Sequence, residues 1–318
     1  MWQGQSTLMN SGERLKKIFS LLLLLMMPVT IAAQSEAKKP KDQSVALFAV
    51  SKTGPGTSID PIVIINQGRF TQPPSGQSDI SALRKFANSY YTPGRKYRFL
   101  FGGGEAGVVT VKKWLGRDRE CSRTLASAEI KGSAFLKERV MGVATNSDAL
   151  GRKRGSRRQP TPAERRTLTD LAETVYKQKG VSAALISNIK ALNMTAVDLN
   201  ADGSEEIIGT FLIKRLTGSK AAYMLLLFAE PKGKSFAVSF SQYGQVAEKD
   251  LPGGASIDQI GRDVLASILV DHIDIDRDRT SEVIIADTSF EGITYRIYKR
   301  QKGQWRNVYE FYNYRCAF

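Results

Sequence analysis

An acidic ten-residue pattern occurs twice in this chain, and a β-like run leaves each copy. The first reads Asp198-Leu199-Asn200-Ala201-Asp202-Gly203-Ser204-Glu205-Glu206-Ile207, and the second reads Asp274-Ile275-Asp276-Arg277-Asp278-Arg279-Thr280-Ser281-Glu282-Val283. With the first Asp as position 1, oxygen-bearing side chains fall at positions 1, 3, 5 and 9 of both copies, which start 76 residues apart. A tightly curling segment turns alternate residues to one side, where oxygens converge at the roughly 2.3–2.6 Å that Ca²⁺ prefers. Asp198, Asn200 and Asp202, and likewise Asp274, Asp276 and Asp278, supply positions 1, 3 and 5. Ser204 or Thr280 offers a backbone carbonyl at position 7, and Glu206 or Glu282 closes the cage with a carboxylate. Gly203 permits the sharp turn. The bland alternative is a pair of solvated, metal-free turns, since Asp, Asn and Gly are ordinary turn residues.

An EF-hand would need a bidentate glutamate at position 12 and two flanking helices. Gly209 and Ile285 stand at position 12, and strands are expected on the exit side. The two copies resemble the calcium loops of FG-GAP and VCBS repeats, with their D-x-[DN]-x-D-G-x-x-[DE] spacing. The resemblance covers the loops and their trailing strands in the second half only. It implies Ca²⁺ held by Asp198, Asn200, Asp202 and Glu206, and by Asp274, Asp276, Asp278 and Glu282. Arg279 replaces the family's glycine and Arg277 adds a second cation, so the first loop is the better expected site. A closed propeller needs at least four blades, whereas two repeats suit an open sheet or small sandwich.

Composition narrows the chemistry. The chain has 318 residues with one histidine and two cysteines. That leaves no material for a His-rich metal centre, a four-cysteine zinc site or a CxxC redox motif. A Ser/His/Asp triad would have to use His272, which reads more simply as a structural histidine. Cys121 and Cys316 are expected to pair in an oxidising compartment. Closing so long a loop would stabilise the fold by roughly 4–5 kcal/mol in the chain-entropy model.

Arg14, Lys16 and Lys17 precede an apolar run over 18–29, and Thr30, Ala32 and Ala33 follow. This is the layout of a secretory signal, so residues 1–33 are expected to be removed after Ala32 or Ala33, with Met9 an alternative start. The run is short of the ~20 apolar residues that span a bilayer, and no nearby cysteine offers a lipid anchor. The expected location is periplasmic or extracellular, with no integral membrane segment after cleavage.

The 46 Lys and Arg against 31 Asp and Glu give a net charge of +15. Arg152, Lys153, Arg154, Arg157 and Arg158 concentrate five of the positive charges. No aromatic is interleaved to stack a base, so no nucleic acid is expected, and residues 146–160 read as a solvated basic linker.

Residues 34–44 read as a disordered leader, and 45–145 as a small α+β or sandwich-like module. Val45–Val50 and 62–65 are strand-like runs. Asp79 caps a short helix with Ile80, Leu83, Phe86 and Ala87 on one face. The stretch from Gly102 to Gly107 fits GxGxxG, but Val108-Val109-Thr110-Val111 follows it. A dinucleotide site needs a helix there, so a β-hairpin turn is expected. Thr161, Pro162 and Glu164 announce a capped helix that opens residues 161–318. Strands are then expected at 205–216, 221–229, 235–242, 282–286, 293–298 and 305–312. The whole is mainly β, α+β overall: the first module, a capped helix, and a two-repeat open sheet or sandwich short of a full propeller.

The functional expectation is an exported, non-enzymatic protein with calcium-stabilised repeats that binds an envelope or surface ligand, protein or polysaccharide. The alternative is an exported hydrolase acting on glycans through Glu105, Asp287 or Glu291, whose spacing suggests no carboxylate pair. Trp305, Tyr309, Phe311, Tyr312 and Tyr314 read as strand aromatics of the core, with a sugar-stacking platform as the other reading.

Overall fold

A computed structural model describes residues 44–316, apart from 54–55, 133, 135, 137–139, 215–217, 219, 252–253 and 260–263. The expected signal segment, and the leader except Ser44, lie outside the described residues. The first half contains β1 (Val45–Thr53), β2 (Gly56–Asn66), β3 (Arg69–Thr71), α1 (Ile80–Tyr90), β4 (Lys96–Phe101), β5 (Gly104–Trp114), β6 (Ala126–Gly132) and β7 (Gly142–Thr145). The strands run β1-β7-β4-β5-β6-β2, and β1 pairs with β2 to close a six-stranded antiparallel barrel, which β3 extends.

Alternation along β1 builds the wall. Ala46, Phe48 and Val50 join the core that also holds Tyr97, Phe99, Val109 and, from α1, Phe86 and Ala87. Leu47 and Ala49 face the opposite way, into a second core shared with the C-terminal strands. The α1 cap forms as expected, with Asp79 accepting from the backbone amides of Ser81 and Ala82, but Ile80 is exposed rather than on the buried face. Gly102 and Gly103, at φ 65° and 71°, make the two-residue turn between β4 and β5, the left-handed pair a tight hairpin requires.

The second half opens with α2 (Pro162–Gln178), where Thr161 and Glu164 form both bonds of the capping box. After α3 (Ala183–Ile186) come two antiparallel meanders. The first is β8 (Ile189–Val197), β9 (Glu206–Ile213), β10 (Ala221–Lys232) and β11 (Ser235–Ala247). The second is β12 (Ser267–Ile273), β13 (Glu282–Thr288), β14 (Gly292–Gln301) and β15 (Gln304–Tyr314). The architecture is mainly β and is not a full propeller, as expected. β8 and β12, which lead into the acidic loops, were not among the strands expected from sequence.

The layers follow from which face each residue presents. The second meander lies in the middle, with Ile268, Val270, Ile284 and Ile297 packed on the barrel and Leu269, Val283, Ile285 and Tyr298 on the first meander. The first meander's other face is covered by α2 through Leu168, Ala172 and Tyr176. Trp305, Tyr309 and Phe311 are buried and are core, whereas Tyr312, expected in the core, is exposed and Tyr314 only half-buried, because both lie on the other parity of β15. A bulge opposite Ile297/Tyr298 breaks the common parity of the first three, sending Trp305 to the first meander and Tyr309 and Phe311 towards the barrel.

Polar pins hold the middle layer to the barrel. Cys121 and Cys316 form a disulfide, with Cα atoms 5.2 Å apart. Beside it, buried Asp60 of β2 accepts from Thr124 Oγ1 at 2.8 Å, Asn313 Nδ2 at 2.9 Å and the Tyr295 hydroxyl at 2.7 Å, and pairs with Arg315 at 2.5 Å. At the other end, Asp271 of β12 accepts from the amides of Gly102 and Gly103 at 2.9 and 3.3 Å.

The basic segment is a built strap, which corrects the expectation of a solvated linker. The backbone of Arg152 and Ser156 bonds to the Gly102–Gly103 turn, and that of Arg158 pairs with Ala196 of β8. Arg157 is almost fully buried. It donates to the carbonyls of Met141 and Val270, lies 4.6 Å over the Phe101 ring and stands 4.0 Å from Asp271. Only Lys153 and Arg154 keep the fully solvated character first expected of all five. Cutting the disulfide should be the largest single loss at the seam. A Cys121→Ser/Cys316→Ser chain should unfold in urea with a stability about 4–5 kcal/mol lower, and an unchanged midpoint would contradict this.

Candidate metal centre

Each acidic pattern is the connection between the first and second strands of a meander, so the two loops occupy equivalent places. Their internal wiring is also shared. Asp198 Oδ2 accepts from the Gly203 amide at 3.2 Å, and Asp274 Oδ2 from the Arg279 amide at 3.1 Å. Asp202 Oδ1 accepts from the Ser204 amide, and Asp278 Oδ1 from that of Thr280. Glu206, buried at the start of β9, reaches back to the Leu199 amide at 2.9 Å, and Glu282 does the same to Ile275 at 2.7 Å. In both loops positions 4 and 6 take positive φ: Ala201 and Gly203 in the first, Arg277 and Arg279 in the second. Arg279 therefore accepts a left-handed backbone that costs a side-chain-bearing residue about 1–2 kcal/mol.

The loops are adjacent. The Ser281 amide donates to the Leu199 carbonyl at 2.7 Å. Arg152 donates to the carbonyls of Asp198 and Leu199 and to Ser281 Oγ, so the strap spans both. In each loop one oxygen of the first aspartate, Asp198 Oδ1 or Asp274 Oδ1, is buried with no hydrogen-bond partner. Burial pushes the carboxyls of Glu206 and Glu282 up to about 7, against the opposing pull of their backbone donors.

Among the described residues, Asp274, Asp276 and Glu282 form an acidic group whose carboxylate oxygens lie within 4.8 Å of one another and which could hold a metal ion. The corresponding set in the first loop is Asp198, Asn200 and Glu206, with an amide oxygen in place of one carboxylate. There Asn200 Nδ2 donates to Asp202 Oδ2 at 2.9 Å. Sequence reasoning missed Lys299 of β14, which ion-pairs with Asp276, with Asp278 at 2.9 Å and with Glu282 at 3.2 Å. It also missed the role of Arg152, which the strap brings to the loops. No motif marks Lys299; only the strand register of β14 brings it there.

Two of the hydrolase candidates lie on different strands, Glu105 on β5 and Asp287 on β13. Glu105 pairs with Arg98, Asp287 with Arg296, and Glu291 lies in the exposed turn between β13 and β14. His272 is buried, donates Nε2–H to the Ser156 carbonyl at 3.2 Å, and its Cε1 lies where a Cβ on Gly103 would clash. No protein-family model, curated protein or solved structure matches this chain.

Burial lowers the His272 imidazole to about 3 and raises Asp271 to about 6. Below its ordinary value of 6.5, the unfolded histidine binds a proton that the folded one refuses, so stability is lost as pH falls. Asp271 acts in the opposite sense, binding its proton in the folded chain between about 6 and the ordinary 3.8. The two offset each other over that window. A His272→Gln chain keeps only the aspartate contribution. Its stability relative to the parent should therefore rise by up to ~1.4 kcal/mol per unit as pH drops from 6 to 4, measured by urea unfolding; parallel pH curves would refute this.

Proposed function

We propose that this chain is an exported, non-enzymatic binding protein whose two meanders are calcium-loop repeats of the FG-GAP or VCBS kind. The first loop holds a structural Ca²⁺, and the repeats present a surface to a protein or polysaccharide of the cell envelope or exterior. The observation that carries this reading is the common wiring of two equivalent loops, each with a buried glutamate and an orphaned aspartate oxygen. An ion at the first loop would satisfy Asp198 Oδ1 and stabilise Glu206 as the anion, with Asn200, Asp202 and the Ser204 carbonyl as the other ligands. Oxygen donors without thiol or imidazole suit Ca²⁺.

Export is supported by the disulfide, which persists in oxidising compartments, and by the basic, apolar and small-residue succession at the start of the chain. Among the described residues no helix is long and apolar enough to cross a membrane. A binding role is supported by the fate of the single histidine, committed to the strap, and by the separate arginine partners of Glu105 and Asp287.

Thermal unfolding with EDTA, millimolar Ca²⁺ or millimolar Mg²⁺ tests the ion. At ten times its Kd, Ca²⁺ should stabilise the chain by about 1.4 kcal/mol, a rise of about 2–3 °C. The rise should exceed that with Mg²⁺ and vanish in Asp198→Ala/Asp202→Ala. No response to millimolar Ca²⁺ would leave the first loop a bare turn.

A further inference from the structure

The two loops differ at one position that only the strand pairing identifies. Ile207 and Val283 follow the closing glutamates and are equivalent. Ile207 pairs with Ala229 of β10, and Val283 with Tyr298 of β14. The next residues, Glu230 and Lys299, are therefore counterparts beside the two cages. Glu230 turns to the other meander, accepting from Arg300 at 2.9 Å and from the Trp305 indole at 3.3 Å. Lys299 turns into its own loop, where its ammonium meets the carboxylates at positions 3, 5 and 9.

We infer that Lys299 is a tethered substitute for the metal ion, so that the second loop is neutralised from within and takes no external cation. The ammonium touches Asp276, Asp278 and Glu282, three of the oxygens that the loop pattern assigns to a divalent ion. Its side chain is only 20% exposed, and Glu282 beneath it 2%. An ammonium has three donors, enough for three carboxylates. It explains why the loop with more acid and an arginine in place of glycine still closes in the same form. A covalently attached cation is present at full occupancy whatever the calcium concentration. The inference concerns the second loop and stands or falls separately from Ca²⁺ at the first.

Calorimetric titration with Ca²⁺ at pH 8 decides it, with circular dichroism checking each fold. The parent chain should bind one ion, Asp202→Ala none, and Asp202→Ala/Lys299→Met one, with Lys299→Gln as a second removal of the charge. A gain of a site in the Lys299 variants, even if the parent binds nothing, would uphold the inference and sink the first-loop reading. Two ions in the parent, one retained in Asp202→Ala, or no gain in the folded Lys299 variants would overturn it. A readout on the parent alone is acetylation by an amine-reactive ester. Lys299 should react at least tenfold more slowly than exposed Lys302, and equal rates would overturn the inference.

Discussion

Each repeat buries a glutamate at the exit of its loop, and that burial dictates what must surround it. A carboxylate removed from water needs a proton, a cation or several donors. Glu206 and Glu282 each receive one backbone amide from the loop they close, which leaves most of the charge unanswered. In the second loop Asp274 and Asp276 bring carboxylate oxygens within 4.8 Å of that of Glu282, and in the first Asp198 keeps a buried oxygen without a partner. One repeat answers the charge with its own lysine; the other is completed by an ion under the reading proposed here.

The cages are held in place by the barrel. Asp271 anchors β12 to the Gly102–Gly103 turn three residues before the second loop begins. The strap from Arg152 to Arg158 runs along that turn and across to β8, just before the first loop. Arg157 offsets Asp271, while Arg152 grips the backbone of one loop and a side chain of the other. The disulfide and Asp60 cluster fix the far end of the same seam. Two meanders cannot close on themselves as a propeller does; here the barrel and α2 cover the faces that further blades would have covered.

Much of this was legible in the sequence because it is local. Cap residues define α1 and α2, paired glycines define the hairpin, and loop spacing repeats at 76 residues. Other features depend on distant partners. β8 interrupts its apolar residues with Lys190, Asn193 and two alanines, and β12 carries Asp271-His272, so neither reads as a strand until its distant partners are in place. Barrel closure rests on β1 meeting β7 and β2 meeting β6, non-local pairings without sequence signature. Arg152 and Arg157 look solvated in the sequence because they donate to backbone carbonyls of residues as distant as Asp198 and Val270. A bulge, invisible in a parity count, moves Trp305 to the other layer.

The molecule described by these constraints is a barrel-buttressed pair of β repeats, with a basic strap as its inner joint and chemically different centres in two matching loops. The most direct test is a crystal grown with millimolar Ca²⁺ and measured for anomalous scattering. One peak should appear in the first loop, about 2.3–2.6 Å from oxygens of Asp198, Asn200 and Asp202, with the Lys299 ammonium in the second. An empty first loop, or a peak in the second with Lys299 swung out, would contradict the account.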